Sequence, residues 1–373
     1  MIENGEKRMQ IIIRTDASVE IGTGHVMRCL TLASGLAEGD AEVRFLCRAH
    51  DGNLIDLIKR SGFGVEVLPT RTLGNLRSNS ISDPVHEAWL GCDWYSDSQQ
   101  CRSVLSHKID WLIVDHYALD HRWEREMRST CQNIMVIDDL ADRAHDCDVL
   151  LDQSMGRTAS DYLDIVGTKT RMLLGPQYAL LRPEFAQWRA TSLARRQSPE
   201  LRHILLTMGG VDRNNITERV LTVLHRCRLP TLEKITVVMG PHAPWLDTVI
   251  TAAADMKIQT TVLSGVDNMA ELMSSCDLAI GAGGTATLER CSLGVPSVLL
   301  VIADNQLNIA KHMANSNAAF SICDLNALET SLVAFLANFE LSNNMATYAR
   351  NSADILDGSG VVRTIENLVR HNA

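Results

Sequence analysis

The sequence predicts an α/β protein with two doubly wound parallel sheets of similar size, and three observations support that prediction. Short runs of β-branched and aliphatic residues alternate along the chain with longer segments of helical periodicity. Several of the short runs, including residues 111–114 and 297–302, lack polar alternation, which is typical of strands buried on both faces. The chain of 373 residues is also long enough for two domains.

The predicted strands fall into two sets, one in each half of the chain. The first set comprises residues 10–14, 42–47, 65–68, 111–115, 134–138, 149–151 and 172–174. The second set comprises residues 203–207, 235–239, 260–263, 278–281, 297–301 and 319–322. The segment after the first strand carries apolar residues at Val26, Leu30, Ala33 and Ala37, a spacing that predicts a helix. Because strands and helices alternate, each set predicts one parallel sheet covered by helices.

The domain boundary is predicted within residues 183–201, which hold several charges and no strand pattern. The N-terminal domain then takes residues 1–185, the C-terminal domain takes residues 200–355, and residues 356–373 form a C-terminal helix or tail. Residues 71–100 have weak periodicity and many turn formers, which predicts an irregular excursion with some helix.

Composition and charge favour a folded acidic protein of a reducing compartment. The formal net charge of −10 argues against a protein that coats nucleic acid, and 46% hydrophobic with 21% charged residues is typical of a globular chain. The 10 cysteines include no Cys-x-x-Cys pair, so neither a zinc ribbon nor a thioredoxin-like motif is predicted. The charged N-terminal residues lead into too short an apolar run for a signal peptide, and no apolar run approaches about 18 residues. We therefore expect a cytoplasmic protein with no membrane or nucleic-acid partner.

The loop after the first strand is the first candidate site, because open parallel sheets bind ligands beyond the carboxyl ends of their strands. Gly22 and Gly24 permit a tight turn, and a helix begins near His25, but the spacing is neither a dinucleotide fingerprint nor a Walker A loop. His25 could act as a general base or could cap the helix start, and the residues favour neither interpretation. Asp16 could orient His25, although a turn-forming role is favoured. Arg14 could neutralise a phosphate or pair with an acid.

Two further strands of the first half end in polar residues. Asp115, His116 and Tyr117 could bind a sugar, or Asp115 could close a turn on its own backbone, and both interpretations carry equal weight. Asp138 and Asp139 could bind a metal ion, but no nearby histidine or third acid completes a metal motif, so turn capping is favoured. No metal is expected.

Two glycine loops follow strands of the second half and favour nucleotide binding. Gly209 and Gly210 come directly after the first strand of that half. A later strand leads into a helix start whose amides suit a diphosphate, with candidate residues Gly283, Gly284, Thr285 and Thr287. Glu289 lies further along that helix, where its carboxylate could accept both ribose hydroxyls. Asn305 and Gln306 follow the next strand and could reach a substrate, although alone they would more often form a loop.

Common catalytic motifs of other enzyme classes are missing from the sequence. It contains no Gly-x-Ser-x-Gly, no His-Glu-x-x-His and no cluster of cysteine and histidine residues. It also has no basic stripe with interleaved aromatic residues. A serine hydrolase, a zinc enzyme and a nucleic-acid binder are therefore disfavoured.

The order of these motifs resembles that of the UDP-2,4-diacetamido-2,4,6-trideoxy-β-L-altropyranose hydrolases of pseudaminic acid (nonulosonate) biosynthesis. The likeness covers residues 14–28, 114–117, 137–139, 147–153, 175–182, 207–212 and 305–306. These hydrolases are similar to the peptidoglycan N-acetylglucosaminyltransferases. The resemblance therefore implies a GT-B-like fold, in which two Rossmann-like doubly wound domains face a central cleft, and a C-terminal tail (residues 356–373) that crosses back to the N-terminal domain.

The resemblance also implies the chemistry. Such an enzyme releases UDP from the nucleotide sugar with water as acceptor, inverts the anomeric carbon, and needs neither a metal nor a cofactor. By this likeness His25 would deprotonate the attacking water, and Tyr117 and Asn305 would lie close to the sugar. Asp16 and Ser18 would line the same loop. The expected partners are the nucleotide sugar and water, and a monomer is expected.

Two alternatives remain open at the level of sequence. A GT-B glycosyltransferase that uses a UDP-sugar donor would share the glycine loops and the histidine. A non-catalytic nucleotide-sugar-binding protein would share the loops alone. The excursion at residues 71–100, which a minimal family member lacks, could house an acceptor site or a substrate-selecting lid.

Overall fold

Two fully parallel sheets organise the part of the chain that this computed structural model describes, residues 8–69, 84–339 and 344–372. The described residues divide into two units. The first runs up to Leu180 and resumes at Gly360, and the second spans Leu181–Ser359.

The sheet of the first unit has seven strands in the order β3-β2-β1-β4-β5-β6-β7. The strands are β1 (Gln10–Thr15), β2 (Glu42–Arg48), β3 (Gly64–Leu68), β4 (Ile109–Asp115), β5 (Cys131–Ile137), β6 (Val149–Asp152) and β7 (Arg171–Leu174). The helices of this unit are α1 (Gly24–Glu38), α2 (Ile55–Arg60), α3 (Trp94–Val104), α4 (His121–Met127) and α13 (Gly360–Asn372). Because the order reverses between β1 and β4, the topological switch point lies at that pair.

The sheet of the second unit has six strands in the order β10-β9-β8-β11-β12-β13. The strands are β8 (His203–Thr207), β9 (Lys234–Met239), β10 (Gln259–Ser264), β11 (Leu278–Ala282), β12 (Ser297–Leu300) and β13 (Ala319–Ile322). The helices are α5 (Pro183–Arg195), α6 (Ile216–Arg226), α7 (Leu246–Ala254), α8 (Met269–Ser275), α9 (Ala286–Ser292), α10 (Leu307–Asn315), α11 (Leu328–Phe339) and α12 (Asn344–Ile355). Its switch point lies between β8 and β11.

The central strands of both sheets are buried on their two faces, as the apolar strand runs predict, whereas the edge strands β3 and β10 are largely exposed. In β1, Ile11 and Ile13 pack into a cluster with α1, whereas Ile12 packs into a different cluster with Trp123 of α4. The alternating side chains of one strand therefore pack into two separate hydrophobic cores. Within the described ranges, no helix is both long and apolar enough to cross a membrane.

The C-terminal helix α13 packs within the first unit, against α1. Val361 and Ile365 of α13 lie so close to Gly35 that a side-chain carbon at residue 35 would come within 2.8 and 2.9 Å of them. Leu368 of α13 is fully buried in the same core as Ile11. The first unit is therefore assembled from two distant stretches of chain.

The prediction of two doubly wound parallel sheets is confirmed, and every predicted strand is present with ends that differ by a few residues. The segment proposed as the domain boundary contains helix α5, which packs against α8 and α9 inside the second unit. Residues 70–83 of the predicted excursion lie outside the described residues. Its described part contains a single helical turn, Glu87–Leu90, and most of α3.

Candidate active site

His25 lies in the first turn of α1, directly after the glycine loop. The loop is closed by a bridge between Ser18 and Gly22, and the Ser18 hydroxyl accepts a hydrogen bond from the Ile21 amide at 2.9 Å. Gly22 has a φ of +79°, in the left-handed region that glycine adopts without strain. The helix can therefore begin at Gly24 and hold His25 at the carboxyl edge of the sheet.

A buried carboxylate holds the inner nitrogen of His25. Strands β1 and β4 pair so that Thr15 stands beside Asp115, at the switch point of the sheet. The Nδ1 atom of His25 lies 2.6 Å from Oδ1 of Asp115. Because an ionised carboxylate only accepts hydrogen bonds, Nδ1 carries the proton and Nε2 carries the lone pair. No described residue hydrogen-bonds Nε2.

Arg28, one helical turn after His25, keeps Asp115 ionised. Its Nε and Nη2 atoms donate to the two carboxylate oxygens of Asp115, each at 2.6 Å. Burial opposes ionisation of Asp115, but the positive charge of Arg28 and the hydrogen bonds from Arg28 and His25 outweigh it and hold the pKa of that carboxyl well below its ordinary range. The third nitrogen, Nη1, donates to Asp139 at 3.0 Å. One arginine thus joins two carboxylates of neighbouring strand ends.

Tyr117 flanks His25 on the same edge of the sheet. Its ring meets the His25 ring edge-on, with the centroids 4.4 Å apart. Its hydroxyl donates to Asp139, and burial together with that carboxylate raises the pKa of Tyr117 far above its ordinary value. The phenol therefore stays protonated in the working pH range, and the structure brings Tyr117 and His25 together.

Asp138 and Asp139 have separate partners rather than a shared cation. Asp138 accepts from the Ala141 amide at 2.9 Å, so it caps the turn, and it pairs with Arg143 at 2.8 Å. Asp139 faces Arg28 and Tyr117. Among the described residues, no group of three or more histidine, cysteine or acidic side chains is arranged to hold a metal ion.

Asp16 does not orient His25, so that alternative is wrong. Asp16 is fully buried, pairs with Arg14 at 2.8 Å and accepts from the Arg48 amide at 2.7 Å. Its other oxygen faces His116 and His50 at 3.3 and 3.5 Å. None of these contacts involves His25, and Asp115 takes the role of holding the histidine.

The prediction that Arg14 binds a phosphate is also wrong, because its guanidinium has no exposed face. The side chain is fully buried between Asp16 and Asp97, with a distance of 2.8 Å to each. These two carboxylates raise the pKa of Arg14 despite its burial. Of the two interpretations that the sequence left open, pairing with acids is the one that the structure supports.

The second unit places both of its glycine loops at the switch point of its sheet. Thr207 at the end of β8 stands beside Gly281 of β11. A side-chain carbon at residue 281 would lie 2.5 Å from the Thr207 carbonyl oxygen, and one at Gly240 would lie 2.0 Å from the Gly210 carbonyl oxygen. Glycine is therefore required at both positions for the backbones to approach.

Thr287 is not placed to bind a substrate, in contrast to its prediction. It is fully buried, its hydroxyl accepts from Arg290 at 3.0 Å, and its amide donates to the Gly284 carbonyl. The Gly283 amide is also occupied, because it donates to Leu300 at 3.1 Å. Gly284 is half-buried and Thr285 is exposed, so these two remain as accessible residues of the helix start.

Glu289 and Gln306 both lie near this helix start. Glu289 is half-buried, and burial raises the pKa of its carboxyl above the ordinary value. Gln306 packs beside Gly283, and its side-chain oxygen accepts from the Ile302 amide at 3.0 Å. Asn305 lies in the single turn Asp304–Gln306 of the backbone.

Sequence reasoning missed the roles of Asp115 and Arg28 in the histidine site. The sequence alone predicts sugar binding or a turn for Asp115 and no role for Arg28. The signal that could have found Asp115 is topological, since it ends the strand next to β1 across the switch point. Arg28 could have been found from its spacing, because residues three apart on a helix share a face.

The comparison with family models matches residues 203–364 to the glycosyltransferase family 28 C-terminal domain. Among solved structures, MurG of Acinetobacter baumannii has a TM-score of 0.67 at 17% identity and covers 98% of this chain and 100% of that one. At this identity the likeness concerns the fold alone. The protein has a GT-B-like fold with two parallel-sheet α/β domains.

Three curated proteins are related to this chain at low identity. An uncharacterised protein of Methanocaldococcus jannaschii is 28% identical over 78% of this chain, which spans only 55% of that protein. The UDP-2,4-diacetamido-2,4,6-trideoxy-β-L-altropyranose hydrolase of Campylobacter jejuni is 26% identical over 82% of this chain and 96% of its own length. The spore coat polysaccharide biosynthesis protein SpsG of Bacillus subtilis is 24% identical over 95% of this chain and 96% of its own length.

Proposed function

We propose that this protein hydrolyses a UDP-sugar, with UDP-2,4-diacetamido-2,4,6-trideoxy-β-L-altropyranose as substrate, and releases UDP with inversion at the anomeric carbon. The observation that carries the proposal is the contact of 2.6 Å between Nδ1 of His25 and Asp115. It leaves Nε2 as the basic atom at the carboxyl edge of a doubly wound sheet, where open α/β sheets bind ligands. The likeness to the Campylobacter hydrolase, which extends over 96% of that protein, supports the choice of substrate.

In the proposed reaction, Nε2 of His25 accepts a proton from water while the water oxygen attacks the anomeric carbon. The bond between that carbon and the phosphate oxygen breaks, and its electron pair leaves with UDP. Attack opposite the leaving group inverts the configuration. Ionised Asp115 holds the ring in place and stabilises the imidazolium that forms, and Arg28 keeps Asp115 ionised. This mechanism requires no metal ion.

The second unit is proposed to bind UDP through its switch-point loops. Gly209, Gly210, Gly284 and Thr285 present backbone amides at strand ends and at the start of α9, and such amides hold phosphate oxygens. Glu289, in the first turns of α9, is proposed to accept hydrogen bonds from the ribose hydroxyls. The backbone amides of these loops would also stabilise the negative charge that develops on the departing UDP.

Proton NMR of the purified, EDTA-treated protein with this UDP-sugar tests the proposal. We expect loss of the nucleotide sugar, with free UDP and a free sugar that appears first as one anomer. His25→Asn should lower kcat by ~10²–10⁴-fold, because the general base is removed, while the Kd for UDP stays unchanged. Absence of turnover by the wild-type protein, with UDP still bound, would contradict the hydrolase.

A glycosyltransferase is the second candidate, because the model that matches residues 203–364 describes a glycosyltransferase domain. It would use the same histidine to deprotonate an acceptor hydroxyl rather than water. This candidate predicts slow UDP release in water and a marked acceleration by a sugar acceptor.

A protein that only binds nucleotide sugars would show UDP affinity without turnover, and His25→Asn would change nothing measurable.

A further inference from the structure

Two aromatic residues of the excursion lie against Tyr117, and the proposed chemistry does not use them. Trp89 stacks on Tyr117 with the ring centroids 5.9 Å apart, and the ring of His86 lies 5.5 Å from that of Tyr117. His86 and Trp89 are themselves 4.2 Å apart. These three residues, His86, Trp89 and Tyr117, are called the aromatic wall below.

The aromatic wall borders the proposed reaction centre. Tyr117 contacts both Trp89 and His25, so the wall continues from the excursion to the proposed general base. All three wall residues are half-buried. A group held near Nε2 of His25 would therefore lie beside an aromatic surface.

The segment that carries the wall is anchored to the sheet by buried charges. Asp97 of α3 is fully buried and lies 2.8 Å from Arg14 of β1 and 2.6 Å from Arg48 of β2. Trp123 donates its indole N–H to the same carboxylate at 2.9 Å. Burial opposes ionisation of Asp97, but the two arginines lower its pKa below the ordinary value. Asp97 thus fixes the part of the excursion that follows the aromatic wall in the sequence.

The turn that carries Trp89 is held on its other face by packing. Leu90 and Cys92 are buried in the core that surrounds Trp123. Gly91 packs so closely that a side-chain carbon there would lie 2.9 Å from His50 and 3.3 Å from Arg48. His86 and Trp89 are therefore preorganised against Tyr117, and a binding surface of this kind loses little conformational entropy on binding.

We propose that His86 and Trp89 determine sugar specificity, and that the aromatic wall selects sugars with more apolar substituents over more hydroxylated ones. This inference rests on the proposed function and names the substrate feature that the same site recognises. Aromatic faces pack well against methyl groups and C–H bonds, whereas a hydroxyl pressed against a ring loses its hydrogen bonds to water. A trideoxy sugar with two acetamido methyl groups offers such apolar groups.

The test compares UDP-2,4-diacetamido-2,4,6-trideoxy-β-L-altropyranose with UDP-N-acetylglucosamine and with UDP. Trp89→Ala should raise KM for the first by about 10–100-fold and reduce its advantage over UDP-N-acetylglucosamine, because an apolar contact is lost. The Kd for UDP should not change. Trp89→Phe should recover most of the loss, since it keeps a ring. Trp94→Phe is the matched control, because Trp94 lies in the same excursion and contacts Arg122 and Tyr95.

The outcomes separate this inference from the proposed function. The wild-type protein could turn over the substrate while Trp89→Ala and Trp89→Leu keep the wild-type preference for it over UDP-N-acetylglucosamine. This result would overturn the role of the aromatic wall and leave the proposed hydrolase unaffected. Absence of turnover in the wild type would overturn the hydrolase. The difference in Kd between the UDP-sugar and UDP would still test the wall in that case, because loss of Trp89 should remove the sugar's share of the affinity. Trp89→Leu also removes the aromatic ring but leaves a smaller void, so it serves if the alanine variant does not fold.

Discussion

At the scale of single residues, Asp115 decides what His25 can do. Its carboxylate accepts from His25, from two nitrogens of Arg28 and, at 3.4 Å, from the Cys29 thiol. A fully buried carboxylate with this many donors stays ionised, and an ionised carboxylate fixes the histidine tautomer. This arrangement suits His25 to the role of general base that we propose for it.

Asp115→Asn should abolish this control of the tautomer. We expect kcat of UDP-sugar hydrolysis to fall by about 10³–10⁴-fold with little change in the Kd for UDP, because an amide can present a donor to Nδ1 and turn the lone pair away from the substrate. The matched control is Asp16→Asn, which removes a carboxylate that is equally buried but does not contact His25. The control should lower stability and leave kcat per folded molecule intact, and an equal loss of kcat in both variants would refute the role of Asp115.

At the scale of elements, both candidate sites lie where a sheet reverses its strand order. The pair β1 and β4 brings Thr15 beside Asp115, and the pair β8 and β11 brings Thr207 beside Gly281. Loops that leave neighbouring strands in opposite directions open a crevice at the sheet edge, which explains why ligand sites concentrate there. The excursion helix α3 is fixed to the same edge of the first sheet by ion pairs.

Asp97→Asn should weaken the attachment of α3. Removing one charge from a buried ion cluster costs about 3–5 kcal/mol of unfolding free energy, because the buried positive charges of Arg14 and Arg48 are then not fully compensated. Because its pKa is lowered by folding, Asp97 adds stability that is fully present above its unfolded pKa of about 4. That stability is lost as the pH falls towards the folded pKa, so urea unfolding should show a smaller difference between wild type and variant in acid than at pH 7.

The control for Asp97 is Glu126→Gln, since Glu126 forms a partly exposed pair with Arg102 at 3.2 Å. Surface pairs contribute about 0–1 kcal/mol. A control variant as unstable as Asp97→Asn would contradict the importance of burial.

Gly281→Ala should destabilise the second unit. The new methyl group would lie 2.5 Å from the Thr207 carbonyl and 2.6 Å from Arg290, so strands β8 and β11 would have to separate. Overpacking of this kind costs about 1–3 kcal/mol, measured as a lower urea midpoint. Gly284→Ala meets nothing within 4 Å and should keep the wild-type midpoint. Equal midpoints for the two variants would show that the close approach is not needed.

At the scale of the whole molecule, the first unit depends on the last residues of the chain. Helix α13 follows the second unit in sequence but contributes Leu368 to the core that contains Ile11 and Trp111. A core assembled from both chain ends loses packing when either end is altered. The stability of the site around His25, in the same unit, therefore depends on α13.

Leu368→Ala should lower the unfolding free energy by about 2–5 kcal/mol, because a fully buried side chain leaves a cavity. Val369→Ala is the control at the neighbouring position, where the side chain is 48% exposed and the change should stay within about 0.5 kcal/mol. Thermal unfolding followed by circular dichroism compares the two. Similar midpoints would contradict the packing of α13 into this core.

The sequence by itself determined the strands, their parallel arrangement and the loops that hold the candidate residues. Buried parallel strands are written as local apolar runs, and glycines with a histidine after a strand end are local signals too. Tyr117 could be singled out in the same way, because it follows a strand.

Only the tertiary structure decided which acid meets which base. Asp16 follows β1 and Asp115 ends β4, so both lie at the carboxyl edge of the sheet. The choice between them as the partner of His25 depends on a side-chain contact across 90 residues of sequence. The sequence does not reveal that Arg14 and Thr287 are buried, because burial depends on packing and not on a local pattern. The stacking of Trp89 on Tyr117 and the ion pair of Asp97 with Arg14 are both long-range contacts that leave no periodicity in the sequence.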